Sequence, residues 1–223
     1  MVKAHPKATA VVWGSRTPAP YAGDVSQPSI GVFALQGDVR EHIAALSALG
    51  VEAFPVRRLN ELERCDGLVV PGGESTTMVK LARSFDLFDA FADRIKTGMP
   101  TLGTCAGMIM LAARLRDGIP GQETFGGLDV TVRRNAFGRQ VESFEGDIDF
   151  TIFDDPVHAV FIRAPWVEEV GPDVEVLASV DVPGVGDRIV AVQQGPVMAT
   201  SFHPEVGDDL RIHRYFLDLV TKT

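Results

Sequence analysis

An α/β protein, with helices on both faces of a mostly parallel central sheet and an antiparallel portion added toward the C-terminus, is predicted by three observations. Short apolar runs alternate with helical stretches from residue 29 to about residue 115. Those runs lack the in–out alternation of a strand wetted on one side, so both of their faces are expected to be covered. After residue 128 the texture changes to strand-like segments separated by Gly, Pro and Asp.

The elements follow in order. Residues 1–28 hold four prolines and no sustained period of 2 or 3.6, and are read as a flexible N-terminal extension to a single domain over residues 29–223. Residues 30–35 form the first strand. Asp38 and Glu41 make a capping-box-like pair, Val39, Ile43, Leu46 and Leu49 follow at helical spacing, and Gly50 ends the helix. With a strand at 51–56 this completes a βαβ unit. The pattern repeats with a strand at 67–70, a helix from about 75 to 96, a strand at 100–104 and a helix continuing over 108–115. Further strands are expected at 128–132, 147–153, 159–162, 174–180, 188–193 and 197–202, closed by a helix from about 208 to 220. Phe85, Phe88 and Phe91 recur every three residues and are expected in the core.

Composition bounds the possible partners. Lys plus Arg total 21 against 30 Asp plus Glu, a formal charge of -9 without concentrated positive charge, so neither nucleic acid nor an anionic membrane is an expected partner. No apolar run approaches the ~18 residues that cross a bilayer. Lys3 and Lys7 precede an apolar stretch at 8–13 that lacks the leucine-rich centre of a secretory signal. Two cysteines, Cys65 and Cys105, build no disulfide framework, and a reducing, cytoplasmic compartment is expected.

Sites in such a sheet form beyond the carboxyl ends of the strands. Gly103-Thr104-Cys105-Ala106-Gly107 is a G-x-[S/C]-x-G elbow, whose glycines permit the tight strand-to-helix turn that exposes the central side chain. The turn sets Cys105 at a helix N-terminus, where the dipole favours the reactive thiolate. Among the five histidines, His203 follows an apolar strand, and Glu205 stands two residues on, on the same face, able to orient the imidazole. Cys, His and Glu then follow triad logic built on a thiol. His42 and His213 are read as exposed helical residues, His5 as part of the loose extension, and Cys65 as inert. Pro71-Gly72-Gly73-Glu74-Ser75 ends one strand and opens a helix. It is either a capped loop or, with the Ala106 N–H, the source of an oxyanion-binding N–H at Gly73. Arg163, emerging from an apolar run just before Pro165, is placed to grip a carboxylate, while Arg134 reads as a surface group. On these residues alone, a thiol hydrolase of esters or peptides and a catalytically silent binding protein stay open beside an amidohydrolase.

Six blocks together resemble one family: Leu35-Gln36-Gly37-Asp38-Val39-Arg40-Glu41-His42, Pro71-Gly72-Gly73-Glu74-Ser75-Thr76-Thr77-Met78, Gly103-Thr104-Cys105-Ala106-Gly107, Arg134-Asn135-Ala136-Phe137-Gly138-Arg139-Gln140, Phe161-Ile162-Arg163-Ala164-Pro165 and Ser201-Phe202-His203-Pro204-Glu205. The chain is similar over residues 29–220 to glutaminase subunits of pyridoxal 5'-phosphate synthase, within the class I glutamine amidotransferases. The resemblance implies a three-layer flavodoxin-like fold and hydrolysis of L-glutamine to L-glutamate and ammonia. The ammonia would pass to the (β/α)8 barrel of a synthase (lyase) subunit, in a large hetero-oligomer that makes vitamin B6. It further implies Cys105 as nucleophile with His203 and Glu205. Gly73, Glu74, Ser75, Arg134, Ile162 and Arg163 are the implied glutamine-binding positions, Gly73 and Ala106 the oxyanion hole, and the segment around Gln36 a neighbour of the synthase interface. Neither metal nor cofactor is called for. An extension like residues 1–28 is not general in the family.

Overall fold

The computed structural model describes residues 27–134, 143–182 and 184–222. All but the last two residues of the expected extension, and the block from Asn135 to Gln140, lie outside the described residues. The first half alternates strand and helix: β1 (Ser29–Phe33), α1 (Val39–Ala48), β2 (Glu52–Val56), α2 (Leu59–Leu62), β3 (Gly67–Val70), α3 (Ser75–Ser84), α4 (Phe88–Lys96), β4 (Thr101–Thr104) and α5 (Ala106–Leu111). There follow β5 (Ala112–Arg116), β6 (Leu128–Arg133), β7 (Ser143–Ile148), β8 (Val157–Ile162), β9 (Trp166–Val170), β10 (Glu175–Val182), β11 (Gly186–Gln194), β12 (Val197–Thr200) and α6 (Arg211–Lys222).

Among the described residues the strands form a ten-stranded sheet in the order β2-β1-β3-β4-β12-β11-β9-β6-β5, with β10 also pairing β11, and a separate β7–β8 hairpin. The pairs from β2 through β1, β3 and β4 to β12 are parallel, whereas β12–β11, β11–β10, β11–β9 and β9–β6 are antiparallel. Alternate side chains of the central strands enter different layers, as a period of two requires. Phe33, Leu68, Val70 and Ala199 join the helices α3, α4 and α5 in one core, while Ile30, Val32, Val69, Leu102 and Met198 join α1, α6 and the hairpin in the other. The central strands β3, β4 and β12 are therefore dry on both sides, which is why they read as continuous apolar runs.

Several expectations need correction. The helix expected over 75–96 is two helices, broken where Asp86 takes φ 56°. The break turns Phe88 and Phe91 inward against Phe125, with centroids at 5.1 and 5.6 Å, but leaves Phe85 58% exposed. Arg83 reinforces the corner by lying 3.8 Å over the Phe88 ring and pairing with Asp89 and Glu123. The helix expected over 108–115 ends at Leu111, and Ala112–Arg116 pairs with β6 instead. Helix-favouring Ala, Leu and Arg are overridden there by cross-strand partners: Arg114 bonds Thr131 and Asp129, and Arg116 bonds Glu168 and Glu169. Finally, β9 was absent from the expected strands, and the strand expected over 147–153 lies earlier, at Ser143–Ile148. No helix of the described residues is long and apolar enough to cross a membrane.

The corner at Asp86 separates two chemically identical substitutions. Phe91→Ala should destabilise by about 3–5 kcal/mol by emptying a fully buried site, and Phe85→Ala by less than about 0.5 kcal/mol. Urea-unfolding midpoints at constant m-value measure both, and equal losses would contradict the broken helix.

Candidate active site

The parallel register brings three loops to one edge. Val70 pairs with Gly103, and Thr104 with Thr200, so the chain leaves β3, β4 and β12 side by side. Cys105 occupies the turn out of β4 with φ 48° and ψ -104°, a conformation that costs a non-glycine residue about 1–3 kcal/mol and persists only when its surroundings enforce it. Those surroundings are specific. The Cys105 N–H donates to Thr200 O at 2.8 Å, and its carbonyl accepts from Met108 N–H at 3.1 Å. A side chain at Gly107 would put its Cβ 1.9 Å from Val70 O, and one at Gly103 would lie 2.8 Å from the Gly107 backbone, so only glycine lets the helix start this close to the strands. The Cys105 Sγ faces Ile162 O at 3.9 Å.

His203 Nδ1 lies 2.7 Å from Glu205 Oε1, with both residues 7% exposed. A bond to a carboxylate requires the proton on Nδ1, which leaves Nε2 for the sulfur. Burial works against charge on His203, but its hydrogen bonds to Cys105 and Glu205 outweigh it and lift the imidazolium to about 10. Burial raises the Glu205 carboxyl above its ordinary range, against the pull of His203. Asp38 completes a group of three donors lying within 4.8 Å of one another, its Oδ2 3.5 Å from His203 Nδ1. That nitrogen is already protonated toward Glu205 and has no lone pair for a metal, so the group is a hydrogen-bonded cluster rather than a ligand set.

Glu74 N-caps α3 by accepting from Thr77 N–H at 2.7 Å and from the Thr76 and Thr77 hydroxyls. Partial burial opposes its charge, yet these bonds draw the carboxyl down to about 2. Its other oxygen meets Arg134 at 3.0 Å. Gln122 ties this wall together, accepting from Arg134 at 2.7 Å and donating to Ser75 Oγ at 3.0 Å. Arg163 also lines the cleft, with φ 45°, another strained position.

Every sequence-predicted site residue except Glu205 lines one cleft of about 460 Å³: Gly73, Glu74, Ser75, Cys105, Ala106, Arg134, Ile162, Arg163 and His203. Glu205 lies beneath, behind the imidazole. Arg134, which residue type alone had put on the surface, is 12% exposed at the side chain. Gln36 and Asp38, which are not among the site residues expected from the sequence, line the cleft as well. Gln36 Oε1 accepts the Glu74 N–H at 2.8 Å and so pins the loop that carries Gly73. Asp38, expected to cap α1 with its side chain, makes no such bond and turns toward His203. Their position just past the carboxyl end of β1 was the available signal. A second cleft, of about 370 Å³, between β9 and β11 holds Arg188 against Trp166 and carries no nucleophile.

His42 and His213 contradict the surface role expected of them. Both are fully buried. Their spacing explains it: His42 falls between Val39, Leu46 and Leu49 on the apolar stripe of α1, and His213 beside Ile212, Phe216 and Val220 on that of α6. His42 Nδ1 meets His213 Nε2 at 2.9 Å, and His42 Nε2 meets Thr104 Oγ1 at 3.1 Å and Glu205 Oε2 at 3.4 Å.

A thiol on a strained strand-to-helix elbow, a buried His–Glu pair beside it and a polar cleft in front define an α/β protein equipped for acyl transfer through sulfur. The comparisons with known proteins narrow that class. The family model described as the SNO glutamine amidotransferase family matches residues 32–222. A "Pyridoxal 5'-phosphate synthase subunit PdxT" of Nocardioides sp. is 70% identical over 195 residues, 87% of this chain and 97% of that one. The protein of that name from Acidothermus cellulolyticus is 62% identical, covering 87% of this chain and 95% of its own. A solved glutamine amidotransferase superposes with a TM-score of 0.79 at 50% identity, covering 86% of this chain and 98% of that one. A more distant structure, of a glutamine amidotransferase from Thermotoga maritima, has a TM-score of 0.57 at 16% identity over 88% of this chain and 84% of that one, and shares the fold. The chain belongs to the SNO glutamine amidotransferase family, and its layered α/β architecture is the flavodoxin-like one the resemblance implied.

The two thiols should differ sharply in reactivity. Burial pushes Cys65 up to about 11, while Cys105 opens on the cleft. Iodoacetamide at neutral pH should therefore add one label per chain, absent from Cys105→Ala. Mass spectrometry finding the label on Cys65 would overturn this.

Proposed function

We propose that this chain is the glutaminase subunit of a pyridoxal 5'-phosphate synthase, hydrolysing L-glutamine at Cys105 and handing ammonia to a synthase subunit. The observation that carries the reading is a thiol at φ 48° facing a cleft, beside an imidazole held at 2.7 Å by a buried carboxylate. The names of the 70% and 62% identical relatives support the setting.

The chemistry follows from the parts. The Cys105 thiolate attacks the side-chain carboxamide carbon, and the oxygen gains the negative charge. Backbone N–H groups of Gly73 and Ala106 receive that oxyanion; losing one such donor typically costs ~3–4 kcal/mol of barrier. His203, as imidazolium, protonates the nitrogen so that ammonia rather than an amide ion departs. The product is a γ-glutamyl thioester on Cys105. Neutral His203 then takes a proton from water, the hydroxyl attacks the thioester, and glutamate and thiolate are released. Glu205 keeps the imidazole in the required tautomer through both steps. Arg163 and Arg134 offer cations to the α-carboxylate, and Glu74 and Ser75 offer acceptors to the α-ammonium. Docking of the synthase on the side of Gln36 would set the Gly73 loop, since Gln36 already holds the Glu74 N–H. We take that partner to be a (β/α)8 barrel within a large hetero-oligomer, in the cytoplasm.

Cys105→Ala and His203→Asn should each abolish glutamate release, by at least about 10³-fold, while leaving far-UV circular dichroism unchanged. Wild-type turnover by either folded variant would remove the assignment. Adding the synthase subunit should raise the glutaminase rate of the wild type; equal rates with and without it would refute the coupling but leave the hydrolysis standing.

A further inference from the structure

The hydrogen-bonded line through the site does not stop at Glu205. Behind it Glu205 Oε2 is buried with no conventional hydrogen-bond partner, and His42 Nε2 stands 3.4 Å away. His42 in turn meets His213 at 2.9 Å, and the far nitrogen of His213, Nδ1, is buried and unpartnered. We propose that His42, backed by His213, is a positioning residue for the reaction, orienting Glu205 and through it the imidazole that serves Cys105.

Tautomer logic gives the line a direction. Orphaned buried N–H groups are rarer in folded proteins than under-satisfied buried acceptors, so the unpartnered Nδ1 of His213 is assigned the lone pair. His213 therefore leaves Nδ1 unprotonated and donates its Nε2–H to His42 Nδ1. That fixes the His42 proton on Nε2, shared between Thr104 Oγ1 at 3.1 Å and Glu205 Oε2 at 3.4 Å. Glu205 Oε1 then accepts from His203, whose remaining nitrogen faces sulfur. Every donor along the line from α6 to the elbow points toward the carboxylate that must stay ionised. Burial holds both rear imidazoles in the neutral form this needs, His42 well below its ordinary value and His213 at about 4. Asp38, from the loop before α1, adds negative charge near Glu205, and Asp209, just ahead of α6, faces His213 but is held by Arg211. His203 carries the positive charge on the cleft side.

This rests on the glutaminase reading and deepens it, so the test is arranged to separate the two. It compares wild type, His42→Phe and His42→Gln in the assembled complex with the synthase. His42→Phe keeps the ring volume and removes both nitrogens; His42→Gln keeps an N–H donor. His42→Phe should lower kcat about 10- to 100-fold with KM within about twofold, the expected loss of one hydrogen bond to a buried charge. Without that donor the Glu205 carboxylate holds its proton more tightly, so the acid limb of the kcat/KM profile should move up by about one pH unit. His42→Gln should recover most of both. A folded His42→Phe with wild-type kcat and an unmoved acid limb overturns the proposal while wild-type hydrolysis keeps the glutaminase reading intact. A wild type that releases no glutamate overturns that reading instead. Should His42→Phe fail to fold, nitrogen-15 NMR of histidine-labelled wild type decides: His42 protonated on Nε2 and neutral down to about pH 5 supports the line, whereas a proton on Nδ1 or an ordinary titration rejects it.

Discussion

The turn at Cys105 is the constraint on which the rest of the molecule's chemistry depends. Three parallel strands end in register at one sheet edge, and the chain must leave the middle one through a positive-φ cysteine with the next helix packed directly on the strand ends. Gly107 against Val70 O and Gly103 against Gly107 permit that approach, and the bond from Cys105 N–H to Thr200 O holds it. Relaxing this turn would shift the sulfur and with it α5, every residue of which is buried in the core. The strain is thus held in place by packing that extends over both faces of the sheet.

Around the sulfur, polar groups are buried in a connected set rather than singly. His203, Glu205, His42, His213 and Thr104 are nearly inaccessible, and each meets another member of the set. In a low-dielectric setting such a network is strong when complete and costly when broken, because each lost partner strands a desolvated group. The front of the cleft is built differently. Glu74, Arg134, Gln122 and Ser75 form a hydrogen-bonded wall in which the Glu74 carboxylate is half-exposed. A rigid dry base and a wetter rim suit a site that fixes reacting atoms at one end and exchanges substrate at the other.

The alternation of strand and helix, the elbow cysteine and the His-Pro-Glu turn were legible as letters because each rests on local rules. Apolar runs mark strands dry on both faces, glycines flank a tight turn, and residues two apart on an extended chain share a face. The helix break at Asp86 and the strand Ala112–Arg116 were not legible, since residue preference there favours helix and only the ring of Phe125 and the partners on β6 and β9 reverse it. His42 and His213 were a partial miss of another kind. Their helical spacing put both on apolar stripes, but the type of residue suggested solvent.

What the amino-acid order determined by itself, then, was the class of fold and the identity of the thiol, the imidazole and its carboxylate, because those follow from periodicity and short-range geometry. Only the tertiary structure decided which distant groups stand behind and before them: Asp38 and Gln36 at the cleft, Gln122 between Arg134 and Ser75, and two histidines 171 positions apart brought within 2.9 Å. Contacts of that separation depend on how α1 and α6 pack on one face of the sheet, and packing is a property of the assembled layers, not of any segment within them.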